Sequence, residues 1–155
     1  MESVINEFKS SWIREGITPE AISFAESFGK KLASNSKRKE KRFNPRERKE
    51  YEVEIEESKL TTSQLRKFFG EIKRQQIKGY KESTFILLKP KLAYAVGRAN
   101  DGKKYYKIED LYNVLSLAID IVASPETEDK EKAFHNFIDF FEAVVAYHKK
   151  AEESK

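Results

Sequence analysis

Cysteine is absent from this sequence of 155 residues, and its absence excludes several kinds of chemistry. Disulfide bonds, thiolate zinc sites, iron–sulfur clusters and cysteine nucleophiles all require that side chain. The chain also lacks an apolar run of about 18 residues and a basic amino-terminal segment followed by an apolar one, which membrane spans and secretion signals need. We therefore expect a soluble, cytoplasmic protein that makes no contact with a membrane.

Glycine and proline are also scarce, with six and four residues respectively. These residues most often interrupt regular structure, and the apolar residues between them recur at helical rather than alternating spacing. The apolar fraction of 39% and the charged fraction of 36% fit a folded domain with a large charged surface. The sequence therefore predicts an all-α fold: a compact bundle of about five helices in a single helical domain over residues 1–155.

Start and stop signals place the predicted helices along the chain. Thr18, Pro19 and Glu20 supply an N-cap, a first-turn proline and an early acid, and Thr61 with Gln64 has the spacing of a capping box. The predicted helices cover about 19–33, a segment from 61–64 onward, Leu88 to Ala99 with Pro90 near its start or at a kink, about 107–124, and Thr127 to about Lys149. Ahead of them, residues 5–13 form either another short helix or a docking arm.

Two of these helices carry apolar stripes with consequences for packing. In the last helix Phe137 and Phe141 fall at core spacing, so we expect both to be buried. In the helix over about 107–124, Val114, Leu117 and Ile121 widen the stripe around most of the circumference. That helix should lie at the centre of the bundle or be covered by another protein chain, and we expect it to support self-association.

Residues 35–59 contain few apolar side chains and two clusters of opposite charge. Eight basic residues from Lys37 to Lys49 precede five glutamates from Glu50 to Glu57. This composition predicts a charged flexible insertion at about 35–59 with no strand of its own. Its basic half is either an arm for nucleic acid or, as charge runs more often are, a solvated linker partly neutralised by the acids behind it.

Basic and aromatic residues on one predicted helix form the central candidate site. Lys91, Tyr94 and Arg98 are offset by three and seven residues, which places them on one helical face. Arginine can grip a phosphate with two hydrogen bonds, lysine supplies a point charge, and tyrosine can stack on a base. A purely structural alternative places Tyr94 half in the core while both cations reach towards water.

Two further basic groups extend this candidate surface. One lies on the helix that begins at 61–64, and the other brackets two tyrosines in the turn after Arg98. The first comprises Arg66, Lys67, Lys73 and Arg74, and the second comprises Lys103, Lys104 and Lys107 around Tyr105 and Tyr106. Ordinary surface lysines around a closed loop explain the second group slightly better, but the three groups together favour single-stranded or backbone-centred RNA binding.

The sequence offers little for catalysis or for metal binding. It has two histidines, no glycine-rich phosphate loop and no paired-histidine zinc motif. Glu131, His135 and Asp139 share a helical face, but a solvated charged face is the better interpretation. His148 could act as an acid or base in RNA cleavage, yet a hydrogen-bonded histidine near a helix end is the better interpretation here too. We predict no catalytic residue, no metal and no cofactor.

Three ordered blocks of sequence carry a family resemblance. They run from Thr62 to Phe68, from Leu88 to Arg98 and from Glu142 to Lys149. Together they resemble the small subunit of type III-A CRISPR effector complexes, the Csm family, over about residues 60–150. The resemblance implies an all-helical, non-catalytic protein that stacks in several copies beside the backbone subunits and holds guide RNA and target RNA. In that family the backbone subunits cut the target, and the large subunit makes the cyclic oligoadenylate messenger.

The helical faces select a set of side chains for RNA binding, and the resemblance supports four of them: Arg66, Lys67, Lys91 and Arg98. The predicted RNA-binding residues are Arg66, Lys67, Lys73, Lys91, Tyr94 and Arg98. The predicted partners are guide RNA, target RNA, the backbone and large subunits, and neighbouring copies of the chain. The alternative function is a helical protein–protein adaptor without a direct role in binding nucleic acid. A steep salt dependence of RNA binding would separate the two, because phosphate contacts weaken strongly as salt rises.

Overall fold

Helices dominate the structure, a computed structural model that describes residues 2–99 and 104–153, with the backbone alone for 2–4 and 104–106. Of the described residues, 66% are helical. The helices are α1 (Glu2–Glu7), α2 (Ser11–Arg14), α3 (Pro19–Leu32), α4 (Thr62–Lys78), α5 (Glu82–Phe85), α6 (Leu88–Ala99), α7 (Ile108–Ala123) and α8 (Lys130–Glu153). The strands are β1 (Ser36–Asn44), β2 (Lys49–Ser58) and β3 (Lys104–Tyr106).

A small sheet in the order β1-β2-β3 accompanies the helices, so the prediction of an all-α bundle is wrong and the fold is mixed. β1 and β2 form an antiparallel hairpin, and β3 runs parallel to the last residues of β2. On β2, Tyr51, Val53 and Ile55 alternate with glutamates. This is the period of two that is typical of a strand, but three apolar residues give only a weak signal in the sequence. Backbone hydrogen bonds join the strands, and cross-strand ion pairs add to them, as between Arg38 and Glu57 at 2.8 Å. Flexibility of the segment 35–59, and a single domain over 1–155, stay predictions.

The predicted helices are confirmed, with shifts at the ends of the last one. Thr61 and Gln64 form the predicted capping box at the start of α4, and the Thr18 hydroxyl accepts from the amide of Ala21 at the start of α3. The last helix begins at Lys130 rather than Thr127. The Thr127 hydroxyl instead donates to the carbonyl of Ile121, and the Asp129 carboxylate caps the amide of Lys132. The first bond follows the end of α7 and the second lies at the start of α8, so the two helices are separated by residues 124–129.

The long helix α8 lies at the centre of the helical body, where it packs against α2, α3, α4 and α7. Phe137 and Phe141 on α8 are fully buried, as predicted. The ring of Phe137 lies 5.2 Å from that of Phe85 in an edge-to-face contact that aromatic pairs favour. Gly29 of α3 lets the two backbones approach closely, because a Cβ at that position would lie 2.9 Å from the backbone nitrogen of His148. The core is therefore organised around one aromatic helix.

The apolar helix α7 finds most of its cover within the chain. Val114 and Ile121 are buried and Leu117 is half-buried, so intramolecular packing accounts for the wide apolar stripe. Because Leu117 stays half-buried, contact of this helix with another protein chain stays a prediction. Within the described part of the chain, no helix is both long and apolar enough to cross a membrane.

Candidate nucleic-acid interface

The candidate site is a groove between α4 and α6. Each helix is fixed by an apolar face: Leu65 and Ile72 of α4 are buried, as are Leu88 and Leu92 of α6. Side chains next to these apolar faces line a cavity of about 510 Å³ between the two helices. The groove is lined by Lys67, Phe68, Glu71, Arg74, Leu88, Pro90, Lys91, Tyr94, Ala95 and Arg98. The tertiary structure thus brings four of the six predicted RNA-binding residues into one place.

The groove continues towards the first turn of α7. A second cavity of about 280 Å³ shares Lys67, Phe68 and Arg98 with the first and reaches Gln64 and Ile108. An extended, partly apolar channel with cations along it suits a flexible chain that carries both bases and phosphates.

Glu71 is the one acidic residue that lines this groove among the described residues. Its carboxylate accepts a hydrogen bond from the guanidinium of Arg74 and lies 3.4 Å from the Lys91 ammonium. The hydrogen bond from Arg74 is the main cause that lowers the pKa of Glu71 to about 2, and Gln75 and Lys91 add to it while partial burial opposes it. Glu71 is therefore ionised at neutral pH, and it neutralises part of the charge of Arg74 and Lys91.

Lys67 and Arg98 differ from that pair because no carboxylate lies within ion-pair distance of either, as far as the structure describes the chain. The Arg98 guanidinium lies over the Tyr94 ring at 5.8 Å, within the range of a cation–π contact. Tyr94 is 69% exposed, so it does not lie half in the core as the structural alternative requires. An exposed ring beside two cations without acidic partners is the part of the groove best suited to a phosphate and a base.

Arg66 and Lys73 are not among the residues that line the groove. The Lys73 ammonium lies 3.7 Å from Glu142 of α8 and 5.4 Å from the centre of the Phe69 ring, so it stabilises the packing of α4 on α8. Arg66 is exposed on the same helical stripe as Lys73, seven residues earlier. Sequence reasoning did not single out Glu71, although its position four residues after Lys67 and three before Arg74 places it on the same face.

Of the remaining candidates, His148 and Lys107 are buried and make hydrogen bonds that join elements of the fold. His148 is buried, and its Nε2 donates to the carbonyl oxygen of Leu60 at 2.6 Å, so this histidine joins α8 to the start of α4. Lys107 is also buried, and its ammonium donates to the Lys31 carbonyl at the end of α3. Predictions for Lys103, and for the side chains of Lys104, Tyr105 and Tyr106, lie outside the described residues.

Glu131, His135 and Asp139 are exposed on α8. Where the chain is described, no group of three or more histidine, aspartate or glutamate side chains is arranged to hold a metal ion.

A comparison with protein families matches the chain to the model of Csm2 Type III-A over residues 38–154. That match includes most of the charged hairpin, both groove helices and the central helix α8. Neither a curated protein nor a solved structure matches the chain.

Proposed function

The chain belongs to the Csm2 Type III-A family, and from that premise we propose that it is the non-catalytic, RNA-binding small subunit of a type III-A CRISPR effector complex. In this proposal the chain works in the cytoplasm and stacks in several copies. It contacts guide RNA, target RNA, the backbone and large subunits, and neighbouring copies of itself. The catalytic steps belong to those other subunits.

The groove between α4 and α6 carries the proposal. Lys67 and Arg98 hold phosphates, Lys91 adds positive charge that it shares with Glu71, and Tyr94 stacks on a base or contacts the sugar-phosphate backbone. The apolar lining from Phe68 and Ala95 accepts base faces of any identity. Because none of these contacts reads the edge of a base, the binding is sequence-independent, which suits a subunit that must accept many different guides.

The test compares two double variants: the groove variant, with Lys67→Ala and Arg98→Ala, and a control variant, with Lys132→Ala and Lys149→Ala. Lys132 and Lys149 are exposed on α8, so the control variant loses the same amount of charge outside the groove. We expect the groove variant to weaken binding of unrelated single-stranded RNAs by similar factors. The slope of log affinity against log salt should fall by about 0.7 per lost phosphate contact, and the control should leave both quantities near wild type.

Equal effects of the two variants would mean that only net charge matters, and the groove would lose its role. Loss for one RNA sequence alone would mean base readout and would contradict the proposal of sequence-independent support.

A protein-adaptor function has its own supporting observation in exposed apolar side chains. Ile77 at the end of α4 is 86% exposed, and Ile86 and Leu87 between α5 and α6 are 42% and 50% exposed. Such residues suit a protein contact, which is also compatible with membership of a complex. The test copurifies the complex from its host with the variants Ile77→Ser and Leu87→Ser and then extracts the RNA. Comparing the subunits and the RNA that are recovered distinguishes subunit contact from RNA contact. Loss of the other subunits while the isolated variants still bind RNA would assign these residues to assembly.

A further inference from the structure

The hairpin of β1 and β2 divides into a base that is zipped by ion pairs and a tip that is not. Towards the base, Lys37 lies 3.2 Å from Glu54, Lys39 lies 4.0 Å from Glu52, and Arg38 bonds Glu57. These pairs neutralise the first basic residues of β1. The basic half of the segment 35–59 is therefore not one free arm.

The tip, residues 41–52 with Lys41 opposite Glu52, keeps a positive charge. It contains five basic and three acidic residues, so it carries +2 of the net +4 of the whole chain. No carboxylate lies within ion-pair distance of these five cations in the parts of the chain that the structure describes. Residues 45–52 are all exposed. A local excess of this size attracts polyanions even though the molecule as a whole is nearly neutral.

The two faces of the hairpin tip differ, because the register fixes which side chains share a face. Arg42 pairs with Tyr51, so their side chains share a face. Lys49 lies two residues before Tyr51 on β2 and therefore on the same face. Phe43 pairs with Glu50 on the other face, which continues through Glu52, Glu54 and Glu56. One face therefore presents an aromatic ring between two cations. On the other face each of Glu52, Glu54 and Glu56 lies opposite a lysine of β1, so the opposite charges offset one another.

Loop geometry holds the tip in this form. The Asn44 side chain accepts a hydrogen bond from the Arg46 amide at 3.0 Å, and Arg48 has a φ of 51°, the left-handed conformation that lets a four-residue loop rejoin the ladder. Tyr51 is 48% exposed, whereas Ile55, four residues further along the same face, is fully buried. The burial that covers Ile55 therefore does not extend along β2 to Tyr51.

We propose that the Tyr51 face of the hairpin tip is a second contact for single-stranded RNA, in which Tyr51 stacks on a base while Arg42 and Lys49 hold the flanking phosphates. The arrangement repeats the chemistry of Lys91, Tyr94 and Arg98 on a different element. Lys49 lies six residues beyond the buried Ile55, so the contact lies about 20 Å from Ile55 along β2 at about 3.3 Å per residue. The inference rests on the proposed RNA-binding function and adds to it a site separate from the groove.

The test uses two pairs of matched variants in the full chain, with a labelled oligouridylate as the probe. Arg42→Gln with Lys49→Gln removes two charges from the Tyr51 face, and Lys37→Gln with Lys39→Gln removes two charges from the zipped base. We expect the first pair to weaken binding by about fourfold for each phosphate no longer held at about 0.15 M salt, which follows from a slope of about 0.7 per phosphate. The second pair should stay near wild type.

Tyr51→Leu and Phe43→Leu form the second comparison, since both remove an exposed ring from the same hairpin. Only Tyr51→Leu should weaken binding, and ultraviolet crosslinking followed by peptide mapping should attach the probe to the peptide that contains Tyr51. Equal effects of the charge pairs, or crosslinks to Phe43 instead, would overturn the inference.

The groove variant of Lys67 and Arg98 is measured beside these proteins so that the two sites can fail separately. Loss in the groove variant with wild-type binding in the Tyr51-face variants would overturn the inference and leave the proposed function standing. Loss in the Tyr51-face variants alone would keep the inference and remove the groove. If the wild-type protein does not bind the probe, both the proposed function and the inference are overturned. Capture of a purified partner subunit through the tip would then show that the tip contacts protein.

Discussion

At the residue scale, Glu71 sets the charge of the groove between α4 and α6. Its carboxylate occupies Arg74 and Lys91, the groove cations that would otherwise be free to meet a phosphate. Glu71→Gln keeps the size of the side chain and removes the charge. We expect this variant to bind unrelated single-stranded RNAs more tightly, by up to about fourfold at about 0.15 M salt for each additional phosphate that the released cations hold. Titrations at several salt concentrations check this, and weaker binding would mean that Glu71 positions the cations instead.

The same carboxylate gives a prediction for the pH dependence of stability. The pKa of Glu71 falls from 4.5 to about 2 in the folded state, so the ionised form stabilises the fold. This contribution is complete above about pH 4.5, the ordinary pKa, and is lost as the pH falls towards 2. The difference in free energy of unfolding between wild type and Glu71→Gln should therefore be larger at pH 6 than at pH 3, as measured by urea denaturation. A pH-independent difference would contradict the low pKa.

At the element scale, the close packing of α3 on α8 depends on Gly29. A methyl group there would meet the backbone of α8 at His148 and Val144, which cannot move aside as a flexible side chain would. We expect Gly29→Ala to lower the free energy of unfolding by about 1–3 kcal/mol, the usual cost of overpacking. Thermal and chemical denaturation measure the change.

Gly70 in α4 is the matched control for that prediction. A Cβ at Gly70 meets no atom within 4 Å, so Gly70→Ala adds a methyl group without a clash. Because alanine loses less backbone entropy than glycine on forming a helix, this variant should be more stable by about 0.5–1 kcal/mol. Destabilisation by both substitutions to the same extent would show that the contact between α3 and α8 is not tight.

At the scale of the whole molecule, stability depends on the aromatic core around α8. Phe137 is fully buried against Phe85 and Phe141. Phe137→Ala should cost about 3–5 kcal/mol, a large part of the stability of a domain of this size. Phe43 is 59% exposed on the hairpin, so Phe43→Ala should leave the melting temperature nearly unchanged. Circular dichroism follows both, and equal melting of the two variants would place Phe137 outside the core.

Local signals in the sequence determined the helices and the core. The capping box of Thr61 and Gln64, the N-cap at Thr18 and the spacing of Phe137 and Phe141 involve residues within a few positions of one another. Interactions over so short a range are the same in almost any tertiary context. The same locality made Lys91, Tyr94 and Arg98 recognisable as one face of a helix.

Tertiary structure decided what depends on partners distant in sequence. Lys67 and Lys73 look alike in the sequence, but α8 brings Glu142 to Lys73, while α6 brings Tyr94 and Arg98 to the groove that Lys67 lines. The hairpin was not predicted for the same reason. In the sequence its charges are typical of a solvated segment, and only the pairing of the strands places each β1 lysine opposite a β2 glutamate. Strand pairing is formed between segments rather than within one, so its ion pairs and its two unlike faces exist only once the chain has folded.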